Sequence, residues 1–224
     1  MYIQFRTLAA FDFANYNYVI VFNTNPQASN PTNMPYANAF LTGTYNNFSY
    51  AFAVGASYGG LAALPVLLQY YLVPGQTSLS ARQIAVSPSL TSFQSNSNGQ
   101  GNQFTLIFKR LQLNQQSPYT PSPSPSPSVT PTPSPTPKPT PSGATPSPTP
   151  TASPLYGSTW YINFFTLTRT GTPVDALGNG PNDNTYTFSI DILTSSQNAI
   201  FRPSGYPQVT PSAQITGGEI DNYP

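Results

Sequence analysis

Between Ser117 and Pro154 the chain reads SPYTPSPSPSPSVTPTPSPTPKPTPSGATPSPTPTASP, a 38-residue tract in which 15 residues are proline and 17 are serine or threonine. Each proline holds φ near −65°, lacks a backbone donor and pushes its predecessor toward extended geometry. The tract can therefore join neither a helix nor the interior of a sheet. Polyproline II is the conformation left to it, at about 3.1 Å per residue and a straight length of ~120 Å. The rest of the chain is divided into residues 1–116 and 155–224. An all-β unit as small as the second piece, with no cysteine to cross-link it, would be marginally stable alone. The tract is accordingly expected to be an insertion, running between neighbouring strands of one domain made from 1–116 and 155–224, with both its ends on the same side of the fold. A linker between two domains is the competing reading.

Outside the tract the patterning is that of strands. YNYVIVF sets Tyr16, Tyr18, Ile20 and Phe22 on one face and Asn17, Val19 and Val21 on the other, a period-2 pattern rich in β-branched and aromatic residues. Similar alternation runs through residues 2–8, 48–54, 66–72, 103–110, 160–168 and 185–192. Clusters of Gly, Pro, Asn and Ser such as SNSNGQGN and GNGPNDN separate these runs. GGLAALPVLLQYYL comes nearest to a helix, but Pro65 interrupts it and its second half alternates. The expected fold is all-β: an antiparallel β-sandwich of about seven to nine strands, immunoglobulin-like or jelly-roll-like, with the long Pro-rich insertion.

Charge narrows the possible functions. Only 6% of residues are Asp, Glu, Lys or Arg, and the net charge is +1, where soluble proteins average about 25% charged residues. Arg6, Arg82, Lys109, Arg110, Lys138, Arg169 and Arg202 are scattered along the chain, so no nucleic-acid partner is expected. Histidine and cysteine are both absent, which excludes His or Cys metal sites, Cys–His nucleophiles and Ser–His–Asp triads. No enzymatic activity, cofactor or metal is expected. The opening MYIQFRTLAAFDFANYNYVIVF alternates and carries charge early, so it reads as neither a transmembrane segment nor a signal peptide; if the protein is exported, its signal is missing from this numbering.

Several local motifs admit a sharper and a blander reading. Asp175, Asn179, Asn182 and Asp183 gather oxygen donors in a Gly-rich turn that is suited to Ca²⁺ in kind. They lack EF-hand spacing and a bidentate Glu, so a solvated hairpin loop is the stronger reading, and nothing sets Asp175 and Asp183 up as a glycosidase pair. Tyr16, Tyr18, Tyr70, Tyr71 and Tyr161 are candidates for stacking on glycan rings, against the alternative that strand-spaced aromatics pack in a core. Asn47–Ser49 matches an N-glycosylation acceptor, with chance as the default reading. Thr130, Thr132, Ser134, Thr136 and Thr140 in the Pro tract are candidates for O-glycosylation, which would hydrate a surface short of charge; an unmodified spacer is the competing reading.

NYNYVIVFNTN, WYINFFTLT and AQITGGEIDNYP resemble segments of uncharacterised exported bacterial β-sandwich proteins that carry Pro-Ser/Thr-rich tracts, themselves distantly similar to DOMON-type and other carbohydrate-binding sandwiches. The resemblance implies a cell-surface or extracellular setting and assigns no functional residue.

A sheet protein this poor in charge needs its exterior covered, by copies of itself or by sugar. The leading expectation is a secreted, non-enzymatic, pilus-like structural subunit of a filament or surface layer, a homopolymer displaying a glycosylated tract. MYIQFRTL is the candidate for a strand exchanged between subunits, through Tyr2, Ile3, Phe5 and Leu8. A monomeric glycan-binding or adhesive module is the alternative.

Overall fold

A computed structural model of the chain describes residues 1–24, 49–55, 65–73, 75, 79–89, 91–95, 101–113, 158–177, 187–201 and 209–223. Twelve strands lie in these residues: β1 (Tyr2–Thr7), β2 (Tyr16–Asn23), β3 (Tyr50–Gly55), β4 (Val66–Leu72), β5 (Leu79–Ile84), β6 (Thr91–Ser95), β7 (Gln103–Phe108), β8 (Thr159–Thr168), β9 (Pro173–Ala176), β10 (Phe188–Asp191), β11 (Ser196–Phe201) and β12 (Ile215–Asn222). They form two antiparallel sheets packed as a β-sandwich. The five-stranded sheet has the order β11-β12-β1-β7-β6; the seven-stranded sheet has the order β10-β8-β2-β3-β4-β5, with β9 also on β8.

The strand count exceeds the seven to nine expected, and the additional strands share a cause. β5 (LSARQI), β6 (TSFQS), β9 (PVDA) and β11 (SQNAIF) are short and carry small or polar side chains, and β12 (ITGGEIDN) holds a glycine pair that reads locally as a turn. Their partners, not their own propensity, make them strands.

Strands from both sides of the Pro tract share each sheet. β8 lies against β2 over eight residue pairs, Tyr16↔Thr168 to Asn23↔Tyr161, and β12 lies against β1. β7 and β8, which flank the tract, belong to opposite sheets, so the tract does not connect strands that pair. Its two roots nevertheless meet. Arg110, in the turn of 3₁₀ helix Arg110–Leu113, donates from its guanidinium to the Ile192 carbonyl, and the Ile192 N–H donates to the Ser158 carbonyl at 2.8 Å.

Aromatic side chains fill the space between the sheets. Phe5 of β1 is fully buried and stacks on Phe104 of its own sheet and on Phe164 of the facing sheet, both at 4.9 Å between centroids, with Tyr18 edge-on at 5.9 Å. A glycine in β12 makes this possible: a Cβ on Gly218 would lie 2.4 Å from the Phe164 ring and 2.2 Å from the Gln4 carbonyl. Polar ties join the layers at one end. The buried Asp175 carboxylate of β9 accepts the Ile215 N–H at 2.8 Å, and the Tyr18 hydroxyl donates to the Ser212 carbonyl at 2.9 Å while accepting the Asp12 N–H.

The middle of the seven-stranded sheet, β2 and β3 with β8, is buried on both faces. Tyr18, Ile20 and Phe22 enter the inter-sheet core, while Val19 and Val21 join Ala51, Ala53, Tyr70 and Phe165 in a second enclosed cluster. This accounts for the unbroken apolar run YVIVF, since a strand covered on both sides has no polar face to show.

β1 lies third of five, with residues 2–6 paired to β7 on one side and to β12 on the other. Ile3 and Phe5 are fully buried; Leu8 lies past the strand end and is exposed. Both ladders of β1 are occupied within its own chain, so exchanging this strand between subunits would require both to open. Phe5→Ala is expected to destabilise the fold by about 3–5 kcal/mol, as full truncation of a buried phenylalanine does. Denaturant unfolding monitored by Trp160 fluorescence measures this.

Candidate functional site

The outward face of the five-stranded sheet collects much of the chemistry that the chain possesses. Arg6, Glu219 and Asp221 stand there on the central strands, three of the chain's thirteen charged residues. Along β1, Arg6 donates to the Gln4 side-chain carbonyl and Gln4 donates to the Tyr2 hydroxyl at 2.7 Å. On the neighbouring strands Gln197 donates to the Glu219 carboxylate. Register explains a further contact. Arg6 and Phe201 both pair with Gly217, from opposite sides of β12, and with no side chain between them the guanidinium reaches over the Phe201 ring at 5.0 Å. Gly217 has φ +133°, and a Cβ there would lie 1.9 Å from the Ile200 carbonyl oxygen, so only glycine serves.

Asp221 is the strained member of this face. It is nearly buried; Oδ2 accepts the Tyr223 hydroxyl at 3.3 Å and Oδ1 has no hydrogen-bond partner. Burial, and then the neighbouring Glu219 carboxylate, raise its pKa above the ordinary carboxylate value. The Tyr223 hydroxyl is raised in turn, chiefly by Asp221. A hydrolytic carboxyl pair needs a scissile bond held between its members. Glu219 and Asp221 instead stand side by side along one strand.

At one end of this sheet, where β6 and β1 begin and β7 and β12 end, lies an open groove of about 560 Å³, within the usual size range of small-molecule sites. Its walls hold Ile107, Leu111 and Tyr223, three of the six large hydrophobic side chains exposed among the described residues, with Phe108 and Pro88 between them. Lys109 and Arg110 supply two cations, and no carboxylate is among the described residues that line the groove. Ser89 and Ser92 add hydroxyls, and the Thr91 hydroxyl is buried at the wall without a hydrogen-bond partner. The 3₁₀ turn supports this wall: Gln112 bonds the Ala85 carbonyl and the Ser87 N–H, fixing the β5–β6 connection against it.

The tyrosines singled out in the sequence do not form one platform. Tyr18 is wholly enclosed in the inter-sheet core, where burial raises its hydroxyl pKa and its ring meets Phe11 and Phe13. Tyr18 thus has no surface to offer a sugar ring. Tyr16 packs partly against the same core, whereas Tyr70 belongs to the cluster on the opposite face of the seven-stranded sheet. Tyr71 and Tyr161 are half-exposed on β4 and β8. Asp175 is a structural acceptor for a backbone amide, while Asn179, Asn182 and Asp183 lie outside the described residues. So do Asn47 of the glycosylation motif and the tract residues Thr130, Thr132, Ser134, Thr136 and Thr140. Among the described residues no three carboxylates gather closely enough to hold a metal ion, and no helix is long and apolar enough to cross a membrane.

The groove residues escaped the sequence reading because they come from four separated strands. A signal did exist for part of the exposed face: Glu219, Asp221 and Tyr223 alternate in GEIDNYP with strand period.

The raised Asp221 pKa has a signed consequence. Between the unfolded value and the higher folded value the native state holds a proton that the unfolded chain has released, so stability falls as pH rises through that window. Asp221→Asn is expected to be more stable than the wild type at pH 7, with the gap closing as pH falls toward 4; denaturant midpoints across that range measure it. No family model matches the chain, and neither a curated protein nor a solved structure matches it.

Proposed function

We propose that the chain is a non-enzymatic structural subunit of an exported filament or surface layer, joined to its neighbours through the edges of the five-stranded sheet. One observation carries this reading: among the described residues, the two edge strands of that sheet lack the charge and proline that usually guard an open edge. β11 (SQNAIF) and β6 (TSFQS) contain no charged residue and no proline, whereas soluble proteins commonly blunt an open edge with lysine, proline or a bulge. β11 also presents Phe201, which is 57% exposed. The outer edge strand β5 of the other sheet, by contrast, carries Arg82.

Strand direction limits how copies join. In an antiparallel sheet of five strands the two edges run the same way. A copy added by translation would therefore pair β6 with β11 in parallel, and antiparallel junctions require two-fold axes, β11 to β11 and β6 to β6. The antiparallel ladder is the more stable of the two, so alternating two-fold junctions are the favoured polymer. The Pro-Ser/Thr tract, rooted at Leu113 and Ser158, would then coat the assembly, with O-linked sugar at residues such as Thr130, Thr132, Ser134, Thr136 and Thr140 supplying hydration that the few charges do not.

Ala199→Lys on β11 and Gln94→Lys on β6 place a charge on each edge. Sedimentation velocity and electron microscopy of the wild type at micromolar concentration are expected to show large assemblies. The single variants should stop at dimers and the double variant should be monomeric. A wild type that stays monomeric, or variants that polymerise as it does, would overturn the proposal.

A further inference from the structure

The geometry points to a second property, distinct from assembly: the groove bounded by Ile107, Leu111 and Tyr223 is a binding site for acidic saccharides. Three separate observations converge on it. Half of the large hydrophobic side chains exposed among the described residues line this one groove, a concentration that isolated surface hydrophobics do not show. Tyr223 is 67% exposed, yet its hydroxyl is held by Asp221, so the ring stands at the rim as an oriented platform. Two of the chain's seven basic residues meet there with no carboxylate among the described lining residues to neutralise them, and the Lys109 side chain has no hydrogen bond or ion pair among the described residues.

These features select a ligand by elimination. Net positive lining favours an anion. An acyl chain gains in proportion to the apolar area it buries, and a groove open to solvent covers only part of that area while leaving the lining cations and hydroxyls unused by the chain. A pyranose ring has one apolar face and a polar rim, which suits an aromatic platform backed by hydroxyls. Ser89 and Ser92 offer hydroxyls on the β6 side, and Lys109 offers a point charge for a carboxylate. Arg110 adds a second cation while tethered to the Ile192 carbonyl. The chain's own Pro tract is a poor match by charge, because its one ionisable side chain other than Tyr119 is Lys138. A saccharide bearing carboxylates, such as a uronic acid oligomer, meets all three requirements.

The test uses the intact chain and calorimetric titration with a galacturonic acid trimer, its neutral galactose counterpart and octanoate. The acidic trimer is expected to bind, the neutral trimer about tenfold or more weakly, and octanoate not measurably. Lys109→Gln and Tyr223→Ala should each weaken the acidic trimer by about tenfold, and 0.5 M salt should weaken it further. Both side chains are at the surface, and circular dichroism checks that the variants keep the wild-type fold. Titrating the Ala199→Lys, Gln94→Lys double variant as well separates saccharide binding from assembly, since it is expected to be monomeric and neither residue lines the groove. Absence of binding by the wild type, equal binding of the neutral trimer or of octanoate, or unchanged affinity in Lys109→Gln would each overturn the assignment.

Discussion

The eight-pair ladder between β2 and β8 is the constraint on which the rest of the structure depends. It joins residues about 140 positions apart in sequence and crosses a tract that cannot itself enter a sheet. Closing so long a loop is less prohibitive than intuition suggests, because the entropy cost grows only with the logarithm of loop length. Once β8 is seated, its inward residues Trp160, Ile162 and Phe164 enter the core, Trp160 beside Phe22 of the same sheet and Phe164 against Phe5 of the facing sheet, and β12 closes against β1. The return of both tract roots to Ile192 follows from that closure.

Scarcity of charge gives the outer face of the five-stranded sheet its character. Among the described residues Arg6, Glu219 and Asp221 form no ion pair there; hydrogen bonds and one cation–π contact engage them. Exposed ion pairs contribute little in any case. Soluble sheets use charge mainly to discourage association at open edges, and this sheet's edge strands carry none. Association through the edges and ligand capture in the groove share β6, whose first residues Thr91 and Ser92 line the groove, while the β11 edge lies away from it.

The groove lies beside the root of the Pro tract, since Arg110 and Leu111 belong both to its wall and to the turn from which the chain departs. In the proposed assembly, saccharide binding and the glycosylated tract would occupy the same end of each subunit. The β11 edge would be left clear for neighbouring copies.

Strand character over residues 2–8, 16–22, 66–72, 103–110 and 160–168 was legible from alternation, because the direction of a side chain from an extended backbone is a local property. So was the shortage of charge. Which face of a strand meets solvent was not legible. Val19 and Val21 occupy the positions an exposed face would have, and Tyr18 sits at strand spacing like a surface tyrosine, yet all three are enclosed. Nor could the sequence tell that β1 is central and β11 an edge. The amino-acid order by itself determined that this chain builds sheets and places between two of the strands a run of prolines that no sheet interior accepts. Only the tertiary structure decided which strands are neighbours, because pairing is settled by contacts between residues far apart along the chain. With that choice it set which edges stay open and which side chains of four separate strands share a groove.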